Sequence, residues 1–82
     1  MILAKIHVTL KPSVLDPQGS AVTKSLHALG YDEVEDVRIG KFMEVKVNTN
    51  DRKTAEERIT EMCEKLLVNT VIESYTFELT EV

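Results

Sequence analysis

The stretch Ile2–Lys11 reads ILAKIHVTLK, and its alternation is the feature that most constrains the fold. Every second side chain is apolar, and these residues would share one face: Ile2, Ala4, Ile6, Val8 and Leu10. A period of two over this length is typical of a β-strand with one buried face. Pro12 has no N–H to donate to a neighbouring strand, so we expect the strand to end before it. The chain therefore begins with a half-buried strand.

Two helices are expected downstream of this strand. Asp16 suits the N-cap of the first helix and Pro17 its first position, while Gly30 suits the residue after its end. Asn50 suits the N-cap of the second helix, and Asp51 would complement its dipole. The apolar residues of the second helix recur at helical spacing: Ala55, Ile59, Met62, Cys63 and Leu66.

Three further strands complete the predicted fold. Val37–Ile39 and Met43–Val47 would form a hairpin around a two-residue Gly40–Lys41 turn, and Glu73–Glu81 alternates again. The order β-α-β-β-α-β predicts a ferredoxin-like α+β fold, in which a four-stranded antiparallel sheet carries both helices on one face. We expect residues 1–82 to form a single domain.

The second face of this sheet would have no cover within the chain. Leu3 and Phe42 would point that way, and Val71 and Ile72 have no evident place in so small a core. Scattered exposed apolar side chains are common and need no explanation. In a domain of this size, which gains stability by associating, they favour a contact surface.

Charge and composition exclude several classes of partner. The formal net charge is −4 and the isoelectric point is about 5.1. A nucleic acid or an anionic membrane would require a clustered positive field, so neither is an expected partner. The chain has one cysteine and its N-terminus lacks the pattern of a signal peptide, which together predict a cytoplasmic protein.

No residue set suggests catalysis, a cofactor or a metal ion. His7 and His27 lie far apart in the sequence, there is no CxxC motif, and the three glycines match no phosphate-binding loop. Cys63 falls in the apolar stripe of the second helix, where a cysteine is usually a small core residue. The abundant carboxylates fall at the spacing of a solvated helix face or in turns.

Two segments remain unusual, Leu15–Gly19 and Val37–Lys41. The first packs capping, turn and glycine residues into one corner, and the second places two cations around a predicted hairpin tip. Ordinary turn chemistry explains both, and a docking surface explains them equally well.

These segments, together with Glu64–Glu73, resemble the small S subunit (PurS) of phosphoribosylformylglycinamidine synthase. The resemblance covers the whole chain and is closest to the Bacillus-like branch. Val68 and Thr70 depart from the alanine and proline of many members, which affects only the turn before the last strand.

The resemblance implies a non-catalytic subunit of a purine-biosynthetic complex. It implies a homodimer or tetramer that binds a large synthetase subunit (PurL) and a glutaminase subunit (PurQ) and assists ammonia transfer between them. The complex would use ATP, magnesium and glutamine, and this chain would bind none of them. The implied contact residues are Asp16, Gln18, Arg38 and Lys41.

Two other function classes would each need features of their own. A small regulatory module of the amino-acid-sensing type would need a polar pocket near the loop between the first strand and the first helix. A stand-alone enzyme would need an acid, base or nucleophile set that converges on one place, and the sequence offers none.

Overall fold

The computed structural model describes all residues from Met1 to Val82 and contains one antiparallel sheet of three strands and two helices. The elements in chain order are β1 (Ile2–Leu10), α1 (Pro17–Ala28), β2 (Gly40–Val47), α2 (Arg52–Met62), a π-helical turn (Cys63–Leu67) and β3 (Glu73–Glu81). The order in the sheet is β2-β1-β3, so the first strand of the chain is the central one. The α+β class expected from the sequence is confirmed.

The alternation of β1 is confirmed because the central strand is where one face can be fully covered. Ile2, Ala4, Ile6 and Val8 are buried, and each pairs with residues of both neighbours. Ile6, for example, lies opposite Met43 of β2 and Phe77 of β3. The edge strands carry only half-buried side chains on this face, because their outer flanks have no neighbour.

The predicted fourth strand and its hairpin are wrong. Val37–Ile39 is not a strand, and Gly40 is the first residue of β2, paired with Thr9 of β1. A Cβ at Gly40 would lie 2.2 Å from the carbonyl oxygen of Val8, so this glycine permits a close approach of two strands instead of a turn. The four-stranded ferredoxin-like sheet is therefore not confirmed.

Helix α2 covers the buried face of the sheet, but its apolar stripe ends earlier than expected. Ala55, Ile59 and Cys63 are fully buried, whereas Leu66 is 83% exposed. The helix widens at its end, where the Val68 N–H donates to the carbonyl oxygen of Cys63, five residues earlier. This extra residue per turn moves Leu66 off the buried face.

The second helix also begins one residue later than predicted. Asp51, not Asn50, is the N-cap: its Oδ1 accepts from the N–H of Lys53 at 3.1 Å and its Oδ2 accepts from Oγ1 of Thr54 at 2.7 Å. These hydrogen bonds hold the pKa of the Asp51 carboxyl below its ordinary value of 3.8, with the Thr54 hydroxyl as the largest cause. Both partners of this carboxylate belong to its own helix.

Helix α1 does not share the cover of the sheet that was expected of both helices. Val22, Leu26 and the C-cap residue Leu29 recur at helical spacing and form the apolar stripe of this helix. Gly19 is the one buried residue of α1, Leu26 is half-buried, and Val22 and Leu29 are 37% and 74% exposed. The molecule measures 49 × 27 × 14 Å along its principal axes, and only 10 of its 82 residues are buried. The chain is thus long and thin, and it leaves an apolar helix face uncovered. No helix is both long and apolar enough to cross a lipid bilayer.

Candidate functional site

The four sequence-predicted contact residues lie together where β1 ends and β2 begins. Asp16, Gln18 and Lys41 line one cleft of about 180 Å³. Arg38 lies beside it and lines an adjoining groove with Asp16. Two segments that are separated in the chain by residues 20–36 therefore form one surface.

Asp16 joins the two segments through its side chain. Its Oδ1 accepts from the N–H of Gly19 at 3.0 Å, as an N-cap should, and its Oδ2 accepts from the N–H of Ile39 at 2.8 Å. The Gly19 N–H above all, then that of Ile39 and the charge of Arg38, hold the pKa of this carboxyl below its ordinary value of 3.8. The buried carboxylate is ionised at neutral pH and ties the first turn of α1 to the residue before β2.

Gly19 allows the two segments to approach each other closely. A Cβ at this position would lie 2.0 Å from the carbonyl oxygen of Val37, far inside van der Waals contact. The sequence showed Gly19 only as a weak spot in the helix, because glycine lowers helix propensity. The low helix propensity of glycine was the one sequence feature from which this contact could have been predicted, because an unfavourable residue in the first turn of a helix can indicate a close approach.

Arg38 connects the segment before β2 to the end of β1 and to the loop that follows it. Its Nη2 donates to the carbonyl oxygen of Lys11 at 2.9 Å and to that of Val14 at 3.1 Å, with a longer contact of 3.4 Å to that of Leu10. These three carbonyls end β1 and open the loop before α1. The guanidinium, which offers several donors in a fixed plane, therefore holds this loop against the segment that leads into β2.

Gln18 and Lys41 remain accessible. Gln18 is exposed and its side chain makes no hydrogen bond within the chain. Lys41 is largely exposed, and its Nζ lies 3.5 Å from Oε2 of Glu73 at the start of β3. The Glu73 side chain is only 12% exposed, whereas that of Lys41 is 64% exposed, so the lysine is the accessible member of this pair.

The far end of α1 is closed by local hydrogen bonds that the sequence indicated only in part. Gly30, at a φ of 99°, donates to the carbonyl oxygen of His27, and Tyr31 donates to that of Leu26, which together form a Schellman motif. His27 Nε2 also donates to the carbonyl oxygen of Val34 at 2.7 Å. The segment between α1 and β2 is thus bound to both ends of the helix, through Asp16 at the first turn and through His27 at the last.

The site offers hydrogen-bonding groups and no cluster of metal ligands. No group of three or more histidine, cysteine or acidic side chains is placed to hold a metal ion. Burial, and secondarily the charge of Glu64, raises the pKa of the Cys63 thiol, so this buried cysteine is a poor nucleophile. Hydrogen-bonding side chains and backbone groups at one end of a sheet can bind and orient a partner.

Comparison with known proteins decides the family. The family model for PurS, described as phosphoribosylformylglycinamidine (FGAM) synthase, matches residues 3–81. The chain belongs to the PurS family. The PurS subunit of Bacillus subtilis is 56% identical over all of this chain and 96% of its own length.

Solved structures agree with this assignment. A crystal structure of B. subtilis PurS, in the C2 form, superposes with a TM-score of 0.88 and covers 99% of this chain and 100% of that one. A chain in the structure of PurLQS from Thermotoga maritima, 27% identical, superposes with a TM-score of 0.85 over 98% of this chain and 99% of its own. PurS is a subunit of FGAM synthase, a complex of purine biosynthesis that uses ATP and glutamine.

Proposed function

We propose that this chain is a non-catalytic assembly subunit that helps to hold the synthetase (PurL) and glutaminase (PurQ) subunits of FGAM synthase together and assists the passage of ammonia between them. The observation that carries the proposal is the poorly covered apolar face of α1, on which Val22 and Leu29 are exposed and Leu26 is only half-buried. A contiguous exposed apolar stripe on a helix is a typical mark of a surface that a partner covers. The absence of any convergent catalytic set agrees with an assembly role.

Ammonia transfer gives such a subunit a chemical purpose. Ammonia released into water at neutral pH is protonated and loses its nucleophilicity. Excluding water along the path from the glutaminase to the synthetase keeps it reactive. A small protein without an active site of its own can contribute walls to that path, while ATP, magnesium and glutamine are bound by the two larger subunits.

A second copy of this chain is the first partner we propose. The thin core, with 10 of 82 residues buried, leaves the isolated chain with little stabilising surface. Association of two copies, or of two such dimers into a tetramer, would bury more apolar area and raise its stability. We propose residues 1–82 as one folding unit of a cytoplasmic complex.

The surface formed by Asp16, Gln18, Arg38 and Lys41 is the proposed contact with the larger subunits. Gln18 and Lys41 supply accessible polar groups, and Lys41 adds a positive charge. Electrostatic contacts of this kind favour specificity and the rate of association.

Sedimentation of the mixed subunits tests this proposal. The chain, PurL and PurQ should sediment together as one complex, and Lys41→Ala should weaken its formation about tenfold, the effect of losing one charged contact. Lys46→Ala is the matched control, because Lys46 is an exposed lysine of the same strand on the opposite face of the sheet. Complexes that form equally well without this chain would contradict the assembly role.

A regulatory ligand-binding module is the second candidate, and one observation favours it. An open groove of about 580 Å³ lies beside the loop between β1 and α1, and most of its lining is polar, including Lys24, His27 and Asp36. A thermal-shift screen with amino acids and nucleotides tests this function. A ligand-dependent rise in melting temperature that is lost in Lys24→Ala would support it.

A further inference from the structure

We propose that Asp16 and Arg38 are positioning residues: their side chains hold α1 at a fixed place relative to the sheet, and the complex recognises that placement, while neither side chain needs to touch a partner. This inference deepens the assembly role and rests on it. The claim that these side chains position α1 concerns the isolated chain and can be tested without any partner subunit.

Helix α1 needs such positioning because apolar packing does not supply it. In most small domains a helix is fixed by burying one face against a sheet. Here Gly19 is the one buried residue of α1, Leu26 is only half-buried, and Val22 and Leu29 are exposed. The orientation of α1 therefore depends on the polar contacts at its beginning and end.

The hydrogen bonds of Asp16 connect α1 to β2 through a single carboxylate. One oxygen serves the helix and the other serves the N–H of Ile39, directly before β2. Bonds to an ionised acceptor are roughly twice as strong as neutral ones. An ordinary N-cap needs only one of these two bonds, and the second one crosses to another element.

Arg38 and Gly19 complete this connection. Arg38 donates to the carbonyls of Lys11 and Val14, so the segment before β2 is bound also to the loop that precedes α1. Gly19 lets the helix lie directly against the backbone of Val37. With two contacts of opposite polarity and one close approach, the beginning of α1 has little freedom to pivot.

A positioning role and a direct contact with a partner predict different effects when the side chain is removed. If Asp16 touched a partner, its loss would weaken the complex but leave α1 where it is. If Asp16 positions α1, its loss frees the helix in the isolated chain first, and the complex weakens as a result. The place of α1 in the free chain therefore distinguishes the two roles.

The experiment measures the distance between spin labels at Ser25→Cys in α1 and Glu78→Cys in β3, both exposed positions. All variants also carry Cys63→Ala, so that only the two introduced cysteines can be labelled. An excess of unlabelled chain is added so that labels on two different copies contribute no distances. Asp16→Asn keeps a capping oxygen but replaces the second acceptor with an amide group, so α1 should stay helical while its distance distribution broadens. Asp51→Asn is the matched control, because that carboxylate serves only its own helix.

Arg38→Ala should broaden the same distribution. Arg52→Ala is its control, since Arg52 also donates to a backbone carbonyl, that of Leu79, but far from α1. Both broadening variants should also bind PurL and PurQ about tenfold more weakly or worse, as expected for the loss of a charge-assisted hydrogen bond.

The label distances and the binding measurements test different parts of the proposal. A distribution as narrow in Asp16→Asn and Arg38→Ala as in the unsubstituted chain would overturn the positioning role, whatever happens to binding. A broadened distribution with unchanged binding would overturn the claim that the complex recognises the placement of α1. If the unsubstituted chain does not join PurL and PurQ at all, the assembly role itself fails, and the label distances still report on the positioning.

Discussion

At the scale of single residues, the site depends on groups whose importance comes from residues distant in sequence. Asp16 is recognisable as an N-cap because its helix partner is three residues away. Its second partner, Ile39, is 23 residues away and leaves no trace in local spacing. The four residues were predicted to share an interface through resemblance. The hydrogen bonds by which Asp16 and Arg38 connect elements distant in the chain became visible only in the structure.

Gly19→Ala should destabilise the chain by about 1–3 kcal/mol, as inserting a methyl group into a filled space does. At an unconstrained helical position the same change would stabilise by up to about 1 kcal/mol, so the sign of the effect is informative. Urea denaturation gives the free energy of unfolding. Ser20→Ala, at an exposed position of the same helical turn, should be neutral or slightly stabilising, and a stabilised Gly19→Ala would contradict the close approach to Val37.

Acidification should destabilise the chain through Asp16 and Asp51. Both carboxyls have a folded-state pKa below 3.8, so the unfolded chain takes up these protons first. Their contribution is complete above the unfolded pKa and is lost as the pH falls through the folded one. Asp16→Asn should flatten this part of the acid-denaturation profile measured by circular dichroism, and a profile parallel to that of the unsubstituted chain would show that Asp16 is not stabilised as an anion.

At the scale of elements, β1 and the beginning of α1 were predictable because their signals are local. The alternation of Ile2–Leu10 and the Asp16–Pro17 pair each lie within one element. The Gly40–Lys41 turn was wrong because a glycine after a short apolar segment also suits a close approach between strands. The π-helical turn escaped prediction because the sequence of Cys63–Leu67 continues the α-helical spacing.

The widened end of α2 makes a direct prediction about two similar residues. Ile59→Ala should cost about 2–5 kcal/mol of stability, because Ile59 is fully buried in the core. Leu66→Ala should change the stability of the isolated chain by no more than about 0.5 kcal/mol, because Leu66 is exposed. Equal losses in urea denaturation would place both residues on one buried stripe, as regular α-helical spacing predicts, and would exclude the widened turn.

At the scale of the whole molecule, the chain is an elongated body that leaves a helix uncovered. Composition and size predicted a thin core and a need for association. The sequence located the spare apolar surface on the second face of the sheet, where Phe42 is indeed 54% exposed. It did not predict the exposed stripe of α1, because an amphipathic pattern indicates a buried face without indicating which molecule buries it.

Val22→Glu should shift the chain towards monomers, because a charge on the exposed stripe of α1 is costly to bury against a second copy. Sedimentation equilibrium over a range of concentrations measures the change. Ser25→Glu adds the same charge to an exposed polar position of the helix and should leave association unchanged. If both variants associate like the unsubstituted chain, α1 is not part of the contact between copies.

The central claim is that the chain acts by joining other proteins and not by transforming a molecule itself. The most direct measurement is FGAM synthesis by PurL and PurQ, with and without this chain, using either glutamine or free ammonia as the nitrogen source. We predict that glutamine-dependent synthesis requires the chain while ammonia-dependent synthesis by PurL proceeds without it. Full glutamine-dependent synthesis in its absence would contradict the account.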